Sequence, residues 1–206
     1  MEKQIYINSN SLCPDICNEI ISKFENEIEN DNVLPGATSK GIKLNIKHTL
    51  DFCIDTANGW DKITKMLKIE LKHNINNYIY NLNDSIHYLP DNNSGLRYTL
   101  FSDKDMCYDN ITLQIQKYQK QTGKFTFHND FDIREDSNYR IFTYLWYLND
   151  VIEGGETVFF ENHKIIPRAG TLVIFPANWS YPHSGKMPIS SDKYIITGWI
   201  YTNRFN

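Results

Sequence analysis

Two histidines, one aspartate and one lysine carry the chemistry that this sequence can support. His128 and Asp130 stand two residues apart at the end of a strand-forming run, His183 follows Pro182 far downstream, and Lys193 lies in a further strand-forming run. Side chains at i and i+2 of an extended segment share a face, so His128 and Asp130 reach one point while Asn129 turns away. Two imidazoles and one carboxylate are the ligand set of a mononuclear non-haem Fe(II) site with open positions. The third ligand comes from a neighbouring strand, so its distance along the chain is free. A closed zinc site would take four ligands, usually with Cys, and no Cys lies near this cluster. The three remaining positions suit the 2-oxo and C1-carboxylate oxygens of 2-oxoglutarate, with one left for O2. Lys193 is the cation that the far carboxylate of such a co-substrate needs. The pattern points to oxygen activation by iron with 2-oxoglutarate.

Each residue alone also has a plainer reading. A short HxD match arises by chance, His183 after a proline suits a loop histidine, and a lone strand lysine often marks a sheet edge. The joint order, the strand contexts and the lysine offset make the combination far more specific. Period 2 adds an independent check, because Lys193, Ile195, Thr197 and Trp199 fall on one face of the last strand. A lysine among apolar and aromatic neighbours on an inward face needs an anionic partner.

The elements that must position these residues change character along the chain. Residues 11–29 predict an amphipathic helix through Leu12, Ile16, Ile20, Phe24 and Ile28, with Ser11 as N-cap and Pro14 in the first turn. Residues 41–54 predict a strand with Ile42, Leu44 and Ile46 on one face. Residues 59–82 predict a second helix through Ile63, Leu67, Leu71, Ile75 and Tyr78. Residues 83–95 are rich in Asn, Asp and Ser and form a candidate lid loop. Beyond residue 96 the signals become strands and turns: 111–118, 125–128, 140–149, 158–160, 171–175 and 194–201. Gly154 and Gly155 fit a hairpin turn better than a phosphate loop. The expected fold is α+β, mainly β: a double-stranded β-helix (jelly roll) with N-terminal helices packed on one sheet. A single domain over 1–206 is expected, with 1–95 as helical and strand support and 96–206 as the catalytic core.

Composition narrows the remaining classes. Net charge is −4 and no Lys/Arg run suggests a phosphate-tracking surface, which disfavours nucleic acid. No apolar run reaches membrane-spanning length, and the N-terminus has no apolar signal region. Cys13, Cys17, Cys53 and Cys107 fit no zinc spacing and read as thiols of a reducing cytoplasm.

At this point the chain resembles the prolyl 4-hydroxylase-like branch of the Fe(II)/2-oxoglutarate-dependent dioxygenases. The resemblance rests on Tyr118, Phe127 to Asp130, Arg140, Thr143, Tyr147 to Asn149, Gly154 to Thr157, Pro167, Gly170, His183, Lys193, Thr197 and Trp199, and covers residues 110–202. It implies that His128, Asp130 and His183 bind iron and that Lys193 pairs with the distal carboxylate of 2-oxoglutarate. It implies that Tyr118 and Tyr147 line the co-substrate pocket with the Thr197 hydroxyl beside it. Phe125 stands where several relatives carry tyrosine. Asp130 stands where family halogenases carry a small non-ligating residue, so a hydroxylase is implied. Fe(II), 2-oxoglutarate and O2 are the implied reactants, ascorbate the implied reductant, and succinate and CO2 the by-products of hydroxylating an unactivated C–H.

Three readings of the substrate side stay open: a hydroxylase of proline in a peptide, a hydroxylase of a free amino acid or small metabolite, and a non-catalytic jelly-roll binding module. The complete triad with Lys193 weighs against the last. Arg140, Tyr181 and Trp199 are candidates for the substrate pocket, and Trp146, Tyr181 and Trp199 carry faces that suit a proline ring.

Overall fold

The structure is a computed structural model and describes residues 4–84, 106–108, 111–133 and 138–202. The expected lid loop falls outside the described residues save for its first two positions, which belong to a helix. In chain order the elements are β1 (Tyr6–Asn8), α1 (Pro14–Glu29), β2 (Leu34–Pro35), β3 (Ala37–Thr38), β4 (Gly41–Ile42), β5 (Lys47–His48), β6 (Leu50–Cys53) and α2 (Asp61–Asp84). They continue with β7 (Met106–Cys107), β8 (Gln114–Tyr118), β9 (Lys124–His128), β10 (Arg140–Tyr147), β11 (Thr157–Phe159) and β12 (Lys164–Ile165). The last are β13 (Leu172–Pro176), β14 (His183–Gly185) and β15 (Lys193–Thr202).

Two antiparallel sheets face each other, as in a jelly roll. The larger runs β1-β13-β10-β15-β8-β6-β2, with β7 on the end of β15; the smaller runs β12-β11-β14-β9-β5. Period-2 alternation on the central strands builds two cores at once. Phe142, Tyr144 and Trp146 of β10 join Ile196 and Ile200 of β15 in a layer with the helices. Leu145 and Tyr147 of β10 join Ile195 and the β13 residues Val173 and Phe175 in the layer between the sheets. On β15 the alternation sends Lys193, Ile195, Thr197 and Trp199 toward one cavity, the shared face expected from the sequence.

The helices pack on the outer face of the larger sheet. Cys17, Ile20 and Phe24 of α1 and Leu67, Leu71 and Ile75 of α2 are fully enclosed there. Burial of one such Leu, Ile or Phe stabilises by about 1.5–3 kcal/mol. Three local expectations differ from the structure. The N-cap of α1 is Cys13, because Pro14 takes the first helical position; the Ser11 hydroxyl instead donates to Glu70 Oε1 at 2.8 Å and accepts from Trp146 Nε1 at 2.9 Å. Residues 41–54 hold three short strands rather than one, and Ile42 and Leu44 are exposed, since this stretch turns back as a hairpin with Gly41 at φ 82°. The N-terminal half is more than support: β1, β2 and β6 extend the larger sheet and β5 the smaller one. Among the described residues, no helix is long and apolar enough to cross a membrane.

Candidate metal and co-substrate site

His128 ends β9 and His183 opens β14, and the two are register partners across adjacent antiparallel strands. That pairing brings together imidazoles fifty-five residues apart in sequence. Asp130 follows β9 by two residues. The ligand atoms of His128, Asp130 and His183 lie within 4.8 Å of one another. His128 Nε2 is 3.7 Å from Asp130 Oδ1, and His183 Nε2 is 3.6 Å from Asp130 Oδ2. These separations exceed hydrogen-bond reach, so the three donors surround a point rather than satisfy one another.

The surroundings fix each donor. His128 Nδ1 meets the Thr126 carbonyl at 2.8 Å and His183 Nδ1 meets the Tyr181 carbonyl at 3.2 Å. A carbonyl can only accept, so both rings carry their proton on Nδ1 and leave the Nε2 lone pair free for a metal. The Thr143 hydroxyl donates to Asp130 Oδ2 at 2.7 Å. Burial, then the neighbouring His183, push the His128 imidazole well below its ordinary pKa, which keeps it a neutral ligand. Burial pushes Asp130 upward, but both imidazoles and Thr143 pull it down further, and the net is a carboxyl below the usual range. The Trp199 indole N–H is buried without a hydrogen-bond partner but lies near enough to favour that carboxylate. Two neutral imidazoles and one carboxylate, each oriented from behind, fit Fe(II).

Lys193 lines the same cavity as the three donors. It is 1% exposed, donates to the Gly155 carbonyl at 2.9 Å and lies 3.9 Å from the centroid of the Tyr118 ring. Burial lowers its pKa to about 7, against a smaller upward pull from Glu156. Among the described residues no carboxylate pairs with it within 4.0 Å. Gly155 approaches so closely because it sits at φ 75°, as a turn glycine does. A buried ammonium with spare donors facing a cavity is a fitting anchor for a carboxylate.

The cavity has a volume of about 640 Å³. Tyr118, Thr197, Trp199 and Arg140 line it, as do the triad and Lys193. The Tyr118 hydroxyl donates to Gln116 Oε1 at 3.2 Å, and Thr197 donates to the Tyr144 carbonyl at 2.8 Å. Arg140 lies 3.7 Å above the Trp199 ring and is held by the Asp130 carbonyl, Tyr201 and Asp132. Three aromatic candidates stand elsewhere. Tyr147 is fully buried and does not line the cavity; its hydroxyl donates to Thr157 Oγ1 at 2.6 Å, and Thr157 takes the place in the wall. Tyr181 is buried between the sheets, outside the cavity lining, with its hydroxyl on Gln4. Trp146 points to the opposite face of β10, into the helix-side core, as its even spacing from Tyr144 requires.

The sequence reading missed Thr157, Gln114, Gln116 and Lys47 in the wall. Period 2 on β8 could have found the glutamines, because Gln114 and Gln116 share the Tyr118 face. Phe125 also lines the cavity, with its ring stacked on His128 at a centroid distance of 3.5 Å.

The fold and this site define a class, that of jelly-roll proteins with a two-His-one-carboxylate centre. Residues 113–201 match the family model of the 2OG-Fe(II) oxygenase superfamily. Similar solved structures share the fold over nearly the whole chain. A prolyl-4-hydroxylase from Pseudomonas putida is 16% identical, with a TM-score of 0.64 over 95% of this chain and 91% of that one. A viral collagen prolyl hydroxylase from Paramecium Bursaria Chlorella virus-1, in a 2OG complex, is 17% identical, with a TM-score of 0.64 over 96% of each chain. A prolyl hydroxylase from Trichoplax adhaerens, in complex with a hypoxia inducible factor oxygen degradation domain peptide fragment, is 20% identical, with a TM-score of 0.69 over 97% of this chain and 84% of that one. No curated protein sequence matches the chain.

Proposed function

We propose that this protein hydroxylates proline within an extended peptide, using Fe(II), O2 and 2-oxoglutarate, with ascorbate as reductant. His128, Asp130 and His183 would hold the metal, and Lys193 the distal carboxylate of the co-substrate. Fe(II), when bound there, supplies the reduction of O2 that splits 2-oxoglutarate into succinate and CO2 and places the second oxygen atom in a substrate C–H bond. The chain's own groups orient and exclude water. Thr143 holds Asp130, the backbone carbonyls hold both imidazoles, and Tyr118 and Ile195 line the pocket with Lys193.

The observation that carries the substrate reading is the lining of the cavity. Lys193 and Asp130 in it are buried, whereas Ala37, Ser39 and Lys40 of the β3–β4 hairpin and Phe131 and Asp132 beyond β9 line it and are exposed. An opening between a hairpin and a strand end suits a chain lying across it. The Arg140–Trp199 stack forms a flat, rigid wall beside the metal point, suited to a proline ring. A similar fold also holds a peptide in the Trichoplax adhaerens complex. The test incubates the protein with Fe(II), 2-oxoglutarate, ascorbate and a panel of proline-containing peptides and free amino acids, read by mass spectrometry. A single-oxygen mass gain on peptide proline is expected. Hydroxylation confined to free amino acids or other metabolites would replace the peptide reading with the small-molecule one.

A further inference from the structure

A buried ion pair joins Lys47, which lines the cavity, to Asp51 behind it, apart from both the triad and Lys193. Lys47 and Asp51 are 4% and 7% exposed, and Lys47 Nζ donates to Asp51 Oδ2 at 2.5 Å. The Thr49 hydroxyl donates to Asp51 Oδ1 at 2.7 Å, and Gln116 Nε2 reaches Oδ2 at 3.5 Å. Asp51 thus gathers three donors from β5, β8 and the turn between β5 and β6. A buried ion pair gains little net stability over apolar residues of the same volume, so packing alone gives no reason for it.

Two branches leave this carboxylate, and each ends at a different half of the site. Lys47 Nζ lies 5.4 Å from the centroid of the Phe125 ring, and Phe125 lies flat on His128 with 14° between the planes. Lys47 and Phe125 are also register partners across β5 and β9. On the second branch, Gln116 accepts from the Tyr118 hydroxyl, and the Tyr118 ring supports the Lys193 ammonium. Gly36, at the root of the β3–β4 hairpin, seals the cluster: a Cβ there would lie 2.1 Å from Thr49 Oγ1, 2.9 Å from Lys47 Cε and 3.1 Å from Asp51 Oδ2.

We infer that Asp51 is a positioning residue, which through Lys47 and Phe125 sets the plane of His128 and through Gln116 and Tyr118 sets the seat of Lys193. It touches neither metal nor co-substrate. The inference rests on the iron and 2-oxoglutarate reading of the site.

The branches separate by mutation. Co(II) affinity of the full chain, and 2-oxoglutarate affinity of its Co(II)-loaded form, are measured by calorimetry for wild type, Lys47→Met, Gln116→Met, Asp51→Asn and the charge-neutral Lys47→Met/Asp51→Asn double variant. Groups behind metal ligands typically change metal affinity by tenfold or more, so Lys47→Met should weaken Co(II) by about tenfold and 2-oxoglutarate by less than about twofold. Gln116→Met removes one hydrogen bond behind Tyr118 and should weaken 2-oxoglutarate by about fivefold, with Co(II) little changed. Asp51→Asn should weaken both, and so should the double variant, which leaves no unpaired buried charge. Amide exchange at Gly36, whose N–H bonds the Thr49 carbonyl at 2.8 Å, should quicken in Asp51→Asn without any ligand present. Wild-type affinities for both ligands in Asp51→Asn or in the double variant would overturn the inference, as would equal losses of both ligands in each single-branch variant. A wild-type protein that binds neither Co(II) nor 2-oxoglutarate would instead overturn the dioxygenase reading on which the inference stands.

Discussion

Lys193 is the side chain whose setting asks most plainly for a ligand. Removing its ammonium should cost a charged hydrogen bond of roughly 1.5–3 kcal/mol, so Lys193→Ala should bind 2-oxoglutarate about ten- to hundredfold more weakly while metal affinity holds. Its pKa of about 7 gives the affinity a pH dependence with a definite sign. The group is lowered by burial, so the cation is present below about 7 in the free protein and is lost above it. Binding of the dianion should therefore be level at lower pH and weaken by up to about tenfold per unit as pH rises past neutrality. Lys193→Arg should flatten that slope, because guanidinium stays charged. Calorimetry across this range at constant metal occupancy checks both. At this scale the sequence was most legible where residue types are chemically rare: two histidines, an aspartate and a lysine in strand contexts. Tyrosines were harder to place, since Tyr118, Tyr147 and Tyr181 all suit strands yet only Tyr118 faces the cavity. The Lys47–Asp51 pair was invisible because its segment has no clean alternation and its meaning depends on β8 and β9 beside it.

Elements hold these residues through a few joints that tolerate little change. Gly170 precedes β13 at φ 80°, and a Cβ there would lie 2.0 Å from the Leu12 carbonyl oxygen, whose own N–H bonds the Gly170 carbonyl at 3.1 Å. Gly170→Ala adds left-handed backbone strain of about 1–2 kcal/mol to that clash. It should lower the melting temperature by at least about 4 °C, measured by calorimetric unfolding. The same substitution at Gly41, also left-handed but with open space around it, should cost less than at Gly170. Both helices and the late strands were legible because their periods, 3.6 and 2, run unbroken over many residues. The two-residue strands β2 to β5 were not, because pairing partners rather than local pattern define them.

At the scale of the whole molecule, two sheets enclose a cavity lined by the buried Lys193 and by the His128, Asp130 and His183 cluster. The helices on the far face of the larger sheet hold that arrangement without touching it. A cavity of about 640 Å³ lies well within the range of small-molecule sites, with room beyond the co-substrate for part of a second reactant. The central claim is that this cavity couples O2 reduction to the splitting of 2-oxoglutarate at a metal held by His128, Asp130 and His183. The most direct measurement is succinate formed from 2-oxoglutarate with Fe(II), in air and without oxygen, by wild type and Asp130→Ala, with circular dichroism confirming that both are folded. Oxygen- and iron-dependent succinate from wild type, falling to background in the folded variant, is the predicted result. Wild-type succinate production by Asp130→Ala would contradict it.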